Sequence, residues 1–203
     1  MGAMAVLANG FAAVHSDEER LGVLEAQLAV ADSLNSRFAG SNVGVVLDIQ
    51  GVLSIQANMI PPLCELGRID RALELSHASY AKACKIYGNT DDMTINTALN
   101  HGMLLSRIGR RTEAVKFLRE QLPIAHRAFG PNHISTLKLR AVLSSALNDY
   151  DSASREDVSE AATTLNDVLR RATRTLGDSH PFTRRVKIEQ RDANARAASF
   201  APA

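Results

Sequence analysis

Hydrophobic residues recur along this chain at three- and four-residue intervals, and glycine followed by polar residues cuts the runs at regular distances. That period belongs to amphipathic helices, and the alternation that half-buried strands need is scarce. A shift of 42 residues lays "CELGRIDRALEL" (64–75) on "SRIGRRTEAVKF" (106–117). Gly67 then falls on Gly109, Ala72 on Ala114, Leu63 on Leu105, Leu66 on Ile108 and Asn58 on Asn100. Each unit therefore reads as a helix, a tight Gly turn, a second helix and a polar loop back to the start.

The loops repeat as well. "IYGNTDDMTI" (86–95), "AFGPNHISTL" (128–137) and "TLGDSHPFTR" (175–184) share one layout. Gly88 and Gly130 are 42 residues apart, whereas Gly130 and Gly177 are 47 apart. The five extra residues fall in the polar stretch "NDYDSASRED", where the third unit would otherwise carry its Gly turn. The pattern predicts one domain over 1–198, with units at about 2–40, 46–88, 89–130 and 131–177. A capping helix over 181–197 covers the last pair, and 199–203 is expected to fray. Ser16 and Glu19 have capping-box spacing for a helix beginning there.

One helical hairpin cannot bury its own apolar face, but stacked hairpins bury it together if small residues let them approach. Gly10, Ile60, Gly102 and Ser144 fall at one such crossing position, and Gly22, Ala72, Ala114 and Ala161 at another. The predicted fold is an all-α solenoid of about four helical pairs plus the C-terminal cap. "PP" at 61–62 falls inside a predicted helix, where it removes backbone donors, so a kink or short break is expected near Asn58–Pro62.

The junctions "LGDSHPFT" (176–183), "FGPNHIST" (129–136) and, more loosely, "YGNTDDMT" (87–94) resemble those of the tetratricopeptide repeat in its 42-residue, kinesin-light-chain-like form. The resemblance runs over about residues 5–190. It departs from the family at the usual Leu of position 7, which is Asn9, Met59 and His101 in the first three units and Leu143 only in the fourth. It implies a right-handed superhelix and a non-catalytic protein–protein interaction module or scaffold, whose first helices line a concave groove for a partner peptide. In some members of the family Lys and Asn side chains clamp a partner's C-terminal carboxylate. Projected here, the clamp positions are Ser54, Asn58, Asn100, Lys138 and Val142, of which Asn58, Asn100 and Lys138 match.

Asn58 and Asn100 are the first groove candidates, because a side-chain amide both donates and accepts and can bracket an extended backbone. Ser54, Asn96, Met103, Arg107 and Lys138 complete the predicted groove set, and Ser106 and Asn148 lie near the same helix ends. His133 and His180 recur at one place in two junctions, without other ligands at metal spacing, and read as helix-start residues. His101 reads as a hydrogen-bonded core histidine. Neither a nucleophile elbow, a phosphate loop nor a metal-ligand set can be assembled, so no catalytic, cofactor or metal residue is assigned.

Charge adds one feature to this picture. The net charge is +1, but residues 1–91 carry six cationic against ten acidic side chains, and residues 92–203 carry seventeen against twelve. Arg170, Arg171, Arg174, Arg184, Arg185 and Lys187 form a candidate basic docking patch. The alternative reading is thus a structural or assembly subunit of a larger complex, docking by its ends, convex face or basic C-terminal helix. Phe182 alone could stack a base there, which argues against nucleic acid. Self-association through the solenoid ends is left open. Cys64 and Cys84 stand alone, a usage that fits reduced thiols in a cytoplasmic setting. No run approaches membrane-span length.

Overall fold

Eight α-helices make up the described residues, 16–37, 49–148 and 153–200 of a computed structural model. They are α1 (Asp17–Arg37), α2 (Ile49–Glu65), α3 (Ile69–Tyr87), α4 (Asp92–Arg107), α5 (Arg111–Phe129), α6 (Ile134–Leu147), α7 (Arg155–Leu176) and α8 (Pro181–Ser199). The predicted first helix of the first unit, with Asn9 and Gly10, lies outside the described residues. The chain divides into two compact units, Met1–Ala83 and Cys84–Ala203.

In the first unit α1 packs on α2, burying Leu21, Leu24 and Ala31 of α1 and Val52, Leu53 and Leu63 of α2. Ser16 Oγ accepts from the Glu19 amide at 3.2 Å, the cap expected from the sequence. Arg68–Glu18 and Arg71–Glu25 ion pairs, both 2.6 Å, tie α3 to α1 at the surface. Of the kink or short break expected near Asn58–Pro62, the break does not occur: α2 runs unbroken from Ile49 to Glu65. Both prolines sit within its last turns, so the carbonyls they leave without donors are those of Ala57, half-buried, and Asn58, exposed. Water reaches such carbonyls.

Two turns, 42 residues apart, have the same geometry. Gly109 takes φ +79°, its amide donates to Ser106 O at 3.2 Å, and the Arg110 amide reaches Leu105 O at 2.9 Å. At Gly67, φ is +70°, and the Arg68 amide reaches Leu63 O at 2.8 Å. This is the Schellman arrangement, and glycine is the residue that enters it without a Cβ penalty.

The junctions between units also share a geometry. Gly130 and Gly177 adopt φ 83° with ψ 173° and 164°, a region essentially restricted to glycine. Three residues on, Asp91, His133 and His180 each cap the following helix. Asp91 Oδ1 accepts from the Met93 amide at 2.8 Å, His133 Nδ1 from Ser135 at 3.3 Å and His180 Nδ1 from Phe182 at 3.2 Å. The two histidines are helix-start residues, as the sequence suggested, and Asp91 does the same work where the motif match is loosest. Thr94, Thr136 and Thr183 end the junctions fully buried, and Thr94 Oγ1 donates back to Gly88 O at 2.7 Å. Gly130→Ala, which forces an L-residue into the glycine-only region, is expected to cost about 2 kcal/mol. Urea denaturation, read as a lower midpoint at unchanged slope, checks it.

Within the second unit, small residues sit where helices cross. Ala114, Ala161 and Ser144 are fully buried. A Cβ on Gly102 would lie 2.5 Å from Leu118 Cδ2. Gly22 departs from the prediction, being exposed with open space at its Cβ position. Leu137, Leu165, Val168, Phe182 and Val186 form a continuous core among α6, α7 and α8. The C-terminal helix extends to Ser199, two residues beyond its predicted end.

The inserted stretch changes how α6 ends. With no Gly turn available, its last carbonyls are taken by arginines from other helices. Arg111 of α5 donates to Ala146 O at 3.0 Å and Leu147 O at 3.4 Å, and pairs with Asp157 of α7 at 2.6 Å. Arg196 of α8 donates to Asn148 O at 2.5 Å. Asp157 closes a capping box with Ser154 at the start of α7. Burial pushes its carboxyl up, but hydrogen bonds from Arg111 and Ser154 outweigh that and hold it below its ordinary value.

Candidate functional site

The first helix of each pair in the second unit, α4 and α6, together with α8, forms a shared surface with a cavity of about 200 Å³. Met103, Ser106 and Arg107 of α4 form one wall, Val142 and Ser145 of α6 the floor, and Arg185 and Glu189 of α8 the other wall. Two of the predicted groove residues, Met103 and Arg107, are therefore brought together here.

Asn96, Asn100 and Lys138 are half-buried on the same helices but do not line the cavity. Asn96 donates to Asp92 Oδ2 at 3.0 Å, one turn back on its own helix. Ser54 and Asn58 belong to the first unit. Both are exposed on α2, and Ser54 Oγ donates to Gln50 O at 2.8 Å, a local bond that spends its hydroxyl. His101 is 8% exposed and meets Phe117 edge-on at 5.1 Å, the core position assigned to it from the sequence.

The sequence reading did not carry the groove set onto α8. Register could have done so, because adding 42 and then 47 residues takes Asn96 to Lys138 and on to Arg185. The same step takes Asn100 to Val142 and on to Glu189. The five-residue insertion hides this correspondence from a fixed 42-residue shift.

Arg185 Nε lies 3.2 Å from Glu189 Oε1, and its guanidinium stands 5.6 Å over the Phe182 ring. Glu189 Oε2 is buried without a hydrogen-bond partner. Burial pushes the Glu189 carboxyl above its ordinary value, with Arg185 opposing and Asp192 adding to the rise. The cavity thus combines a thioether and a valine with two guanidinium groups, two hydroxyls and a carboxylate. Such a lining offers donors to peptide carbonyls beside an apolar seat. No group of three or more metal-ligating side chains is found among the described residues.

The predicted basic patch divides in two. Arg140, Arg170 and Arg171 converge on Asp167, Arg140 and Arg171 at 2.6 and 2.7 Å. Burial alone would raise the Asp167 carboxyl, but these hydrogen bonds hold it far below the usual carboxylate range. Arg170, Arg171 and Arg185 therefore spend their charge on intramolecular carboxylates. Arg174, Arg184 and Lys187 form no ion pair with a described residue.

Residues 94–135 match the tetratricopeptide repeat family. The whole chain is similar in fold to the nearly identical TPR-like repeats of a Podosopora anserina protein of kinesin light chain type. A form of that protein with one substitution aligns at 20% identity with a TM-score of 0.61, covering 97% of this chain and 85% of that one. The form without the substitution aligns at 20% identity and a TM-score of 0.59, with the same coverage. BtubC (BKLC) from P. vanneervenii aligns at 17% identity and a TM-score of 0.55, over 91% of this chain and 82% of that one. No curated protein matches the sequence. The 42-residue period, the repeated Gly turns and capped junctions, the matched repeat at 94–135 and the solved structures agree: the chain carries a tetratricopeptide repeat and shares the all-helical solenoid fold of kinesin-light-chain TPR-like repeats.

Proposed function

We propose that this protein is a non-catalytic interaction module and that the α4–α6–α8 surface of its second unit holds an extended segment of a protein partner. The repeat fold supports a general protein-interaction or scaffold role. The observation that carries the finer reading is the cavity itself, where Met103, Val142 and Arg185 meet on first-helix positions. Asn96, Asn100 and Lys138 extend the same row of positions along α4 and α6 and would contact the segment beyond the cavity.

A photo-crosslinking side chain tests this. Installed in place of Met103, which is 42% exposed, it should capture a partner from native lysate. Installed in place of Glu120, exposed on α5, it should capture the same partner severalfold less. The Asn100→Ala/Arg107→Ala variant should reduce capture at position 103 while its circular dichroism stays unchanged. Equal capture at 103 and 120, or capture indifferent to the double variant, would overturn the groove reading.

A further inference from the structure

We propose that the outward face of α8 is a docking surface for an acidic segment of a protein partner, seated on Ile188 and held by Arg184, Lys187 and Arg191. This face is distinct from the cavity-lining side of α8, and the proposal is independent of the groove reading.

The argument begins with repeat register. The positions of Arg184, Lys187, Ile188 and Arg191 correspond in α4 to Ile95, Ala98, Leu99 and Gly102. All four of those are buried, and Gly102 is where Leu118 of the second helix presses in. In α6 the equivalents are Leu137, Arg140, Ala141 and Ser144, again buried apart from Arg140, which pairs with Asp167 of α7. On α8 the crossing position has become Arg191 and the Ile95 position has become Arg184. Where a second helix meets Gly102 in α4 and Ser144 in α6, it would meet the long charged side chain of Arg191 in α8, whose bulk and desolvation oppose that crossing.

That side of α8 is nonetheless not an ordinary solvated one. Ile188 is 61% exposed. It lies in an open recess of about 640 Å³ lined by Arg184, Lys187, Ile188, Arg191, Ser179 and Asp178. Asp178 is its single carboxylate and already accepts from Thr173 Oγ1 at 3.3 Å. Arg111, Arg119, Arg140 and Arg185 elsewhere in this unit each pair with a carboxylate. The three recess cations have no ion-pair or hydrogen-bond partner among the described residues. A recess carrying three cations against one acid, around one aliphatic side chain, complements carboxylates flanking an aliphatic anchor. It offers no aromatic ring to stack a base, which disfavours RNA, and its one apolar residue is too little to enter a bilayer.

The intact protein is titrated with a fluorescein-labelled synthetic helix in which glutamates flank a leucine stripe, and with the same helix carrying glutamines instead. Amide chemical shifts locate the contact. We expect the glutamate helix to bind at least about tenfold more tightly than the glutamine helix, with shifts centred on 184–191. The Arg184→Glu/Lys187→Glu/Arg191→Glu variant should abolish binding. Its glutamine counterpart, in case the reversal disturbs folding, should weaken binding by about tenfold, and Ile188→Asn by severalfold. Equal binding of the two helices, shifts away from α8, or indifference to these variants would overturn the proposal. So would an RNA oligonucleotide or phosphatidylserine vesicles binding through these residues while the glutamate helix does not. Loss of a dimer on charge reversal, seen by sedimentation equilibrium, would assign the face to a second copy and equally overturn it.

Discussion

Gly102→Val is expected to destabilise the second unit by about 3 kcal/mol, the upper part of the range for overpacking a core. The added Cβ would stand 2.5 Å from Leu118 Cδ2 and 2.9 Å from its Cγ, and Leu118 is fully buried, so its side chain can move only by displacing its neighbours in the core. Gly102→Ala sets two effects against each other. The methyl clashes with the same leucine, while replacing a mid-helix glycine by alanine returns about 1 kcal/mol of helix propensity. The clash wins, and Ala is expected to cost about 1–2 kcal/mol, less than Val. In a Leu118→Ala background the sign reverses. The Gly102 methyl then fills space left by the missing isobutyl group, and Gly102→Ala becomes neutral or stabilising. A double-mutant cycle by urea denaturation measures this coupling. Simple additivity of the two substitutions would show that the crossing is not held by this contact.

Arg111→Met is expected to cost about 2–4 kcal/mol at neutral pH, because one substitution removes three hydrogen bonds and leaves Asp157 with only its Ser154 cap. The Arg111 side chain is 18% exposed and that of Asp157 27%, so water replaces the lost partner only in part. Arg111→Lys keeps the charge but cannot span two carbonyls and a carboxylate with a planar fork, and it should recover only part of the loss. The effect depends on pH with a definite sign. The folded Asp157 carboxyl is held below its ordinary value, so its contribution is present above the unfolded value of about 4 and is lost as pH falls through the folded one. Thermal melts should show the gap between wild type and Arg111→Met narrowing as pH drops below about 4. A gap that stays constant with pH would mean that the carbonyl contacts, not the Asp157 pair, carry the stabilisation.

The repeat architecture was legible because it rests on backbone demands that few residue types meet. Glycine in the left-handed turns, a capping side chain three residues beyond each junction glycine and a small residue at each crossing leave a periodic trace in the sequence. Gly67 and Gly109, His133 and His180, and Gly102 are placed by that trace alone. What could not be read was pairing. Arg170, Arg171 and Arg184 look alike in sequence, yet the first two converge on Asp167 and the third pairs with no described residue, a difference set by which helix face each one occupies. The α8 wall of the cavity escaped notice because Arg185 and Glu189 lie one insertion out of register. That α2 would continue through its prolines was not legible, because their cost depends on how close they sit to the helix end and on solvent access to the carbonyls they strand.

The end of α6 has a consequence for how the second unit comes apart. Stacked repeats usually open one at a time from the ends, since each touches only its neighbours. Here the carbonyls closing α6 are held by Arg111 from the preceding hairpin and by Arg196 from the final helix, so neither neighbour can detach without uncapping it. Two side chains thus link α5, α6 and α8 into one cooperative element in place of a zipper. Slow-exchanging amides should accordingly cluster in α6 and vanish together when either arginine is removed.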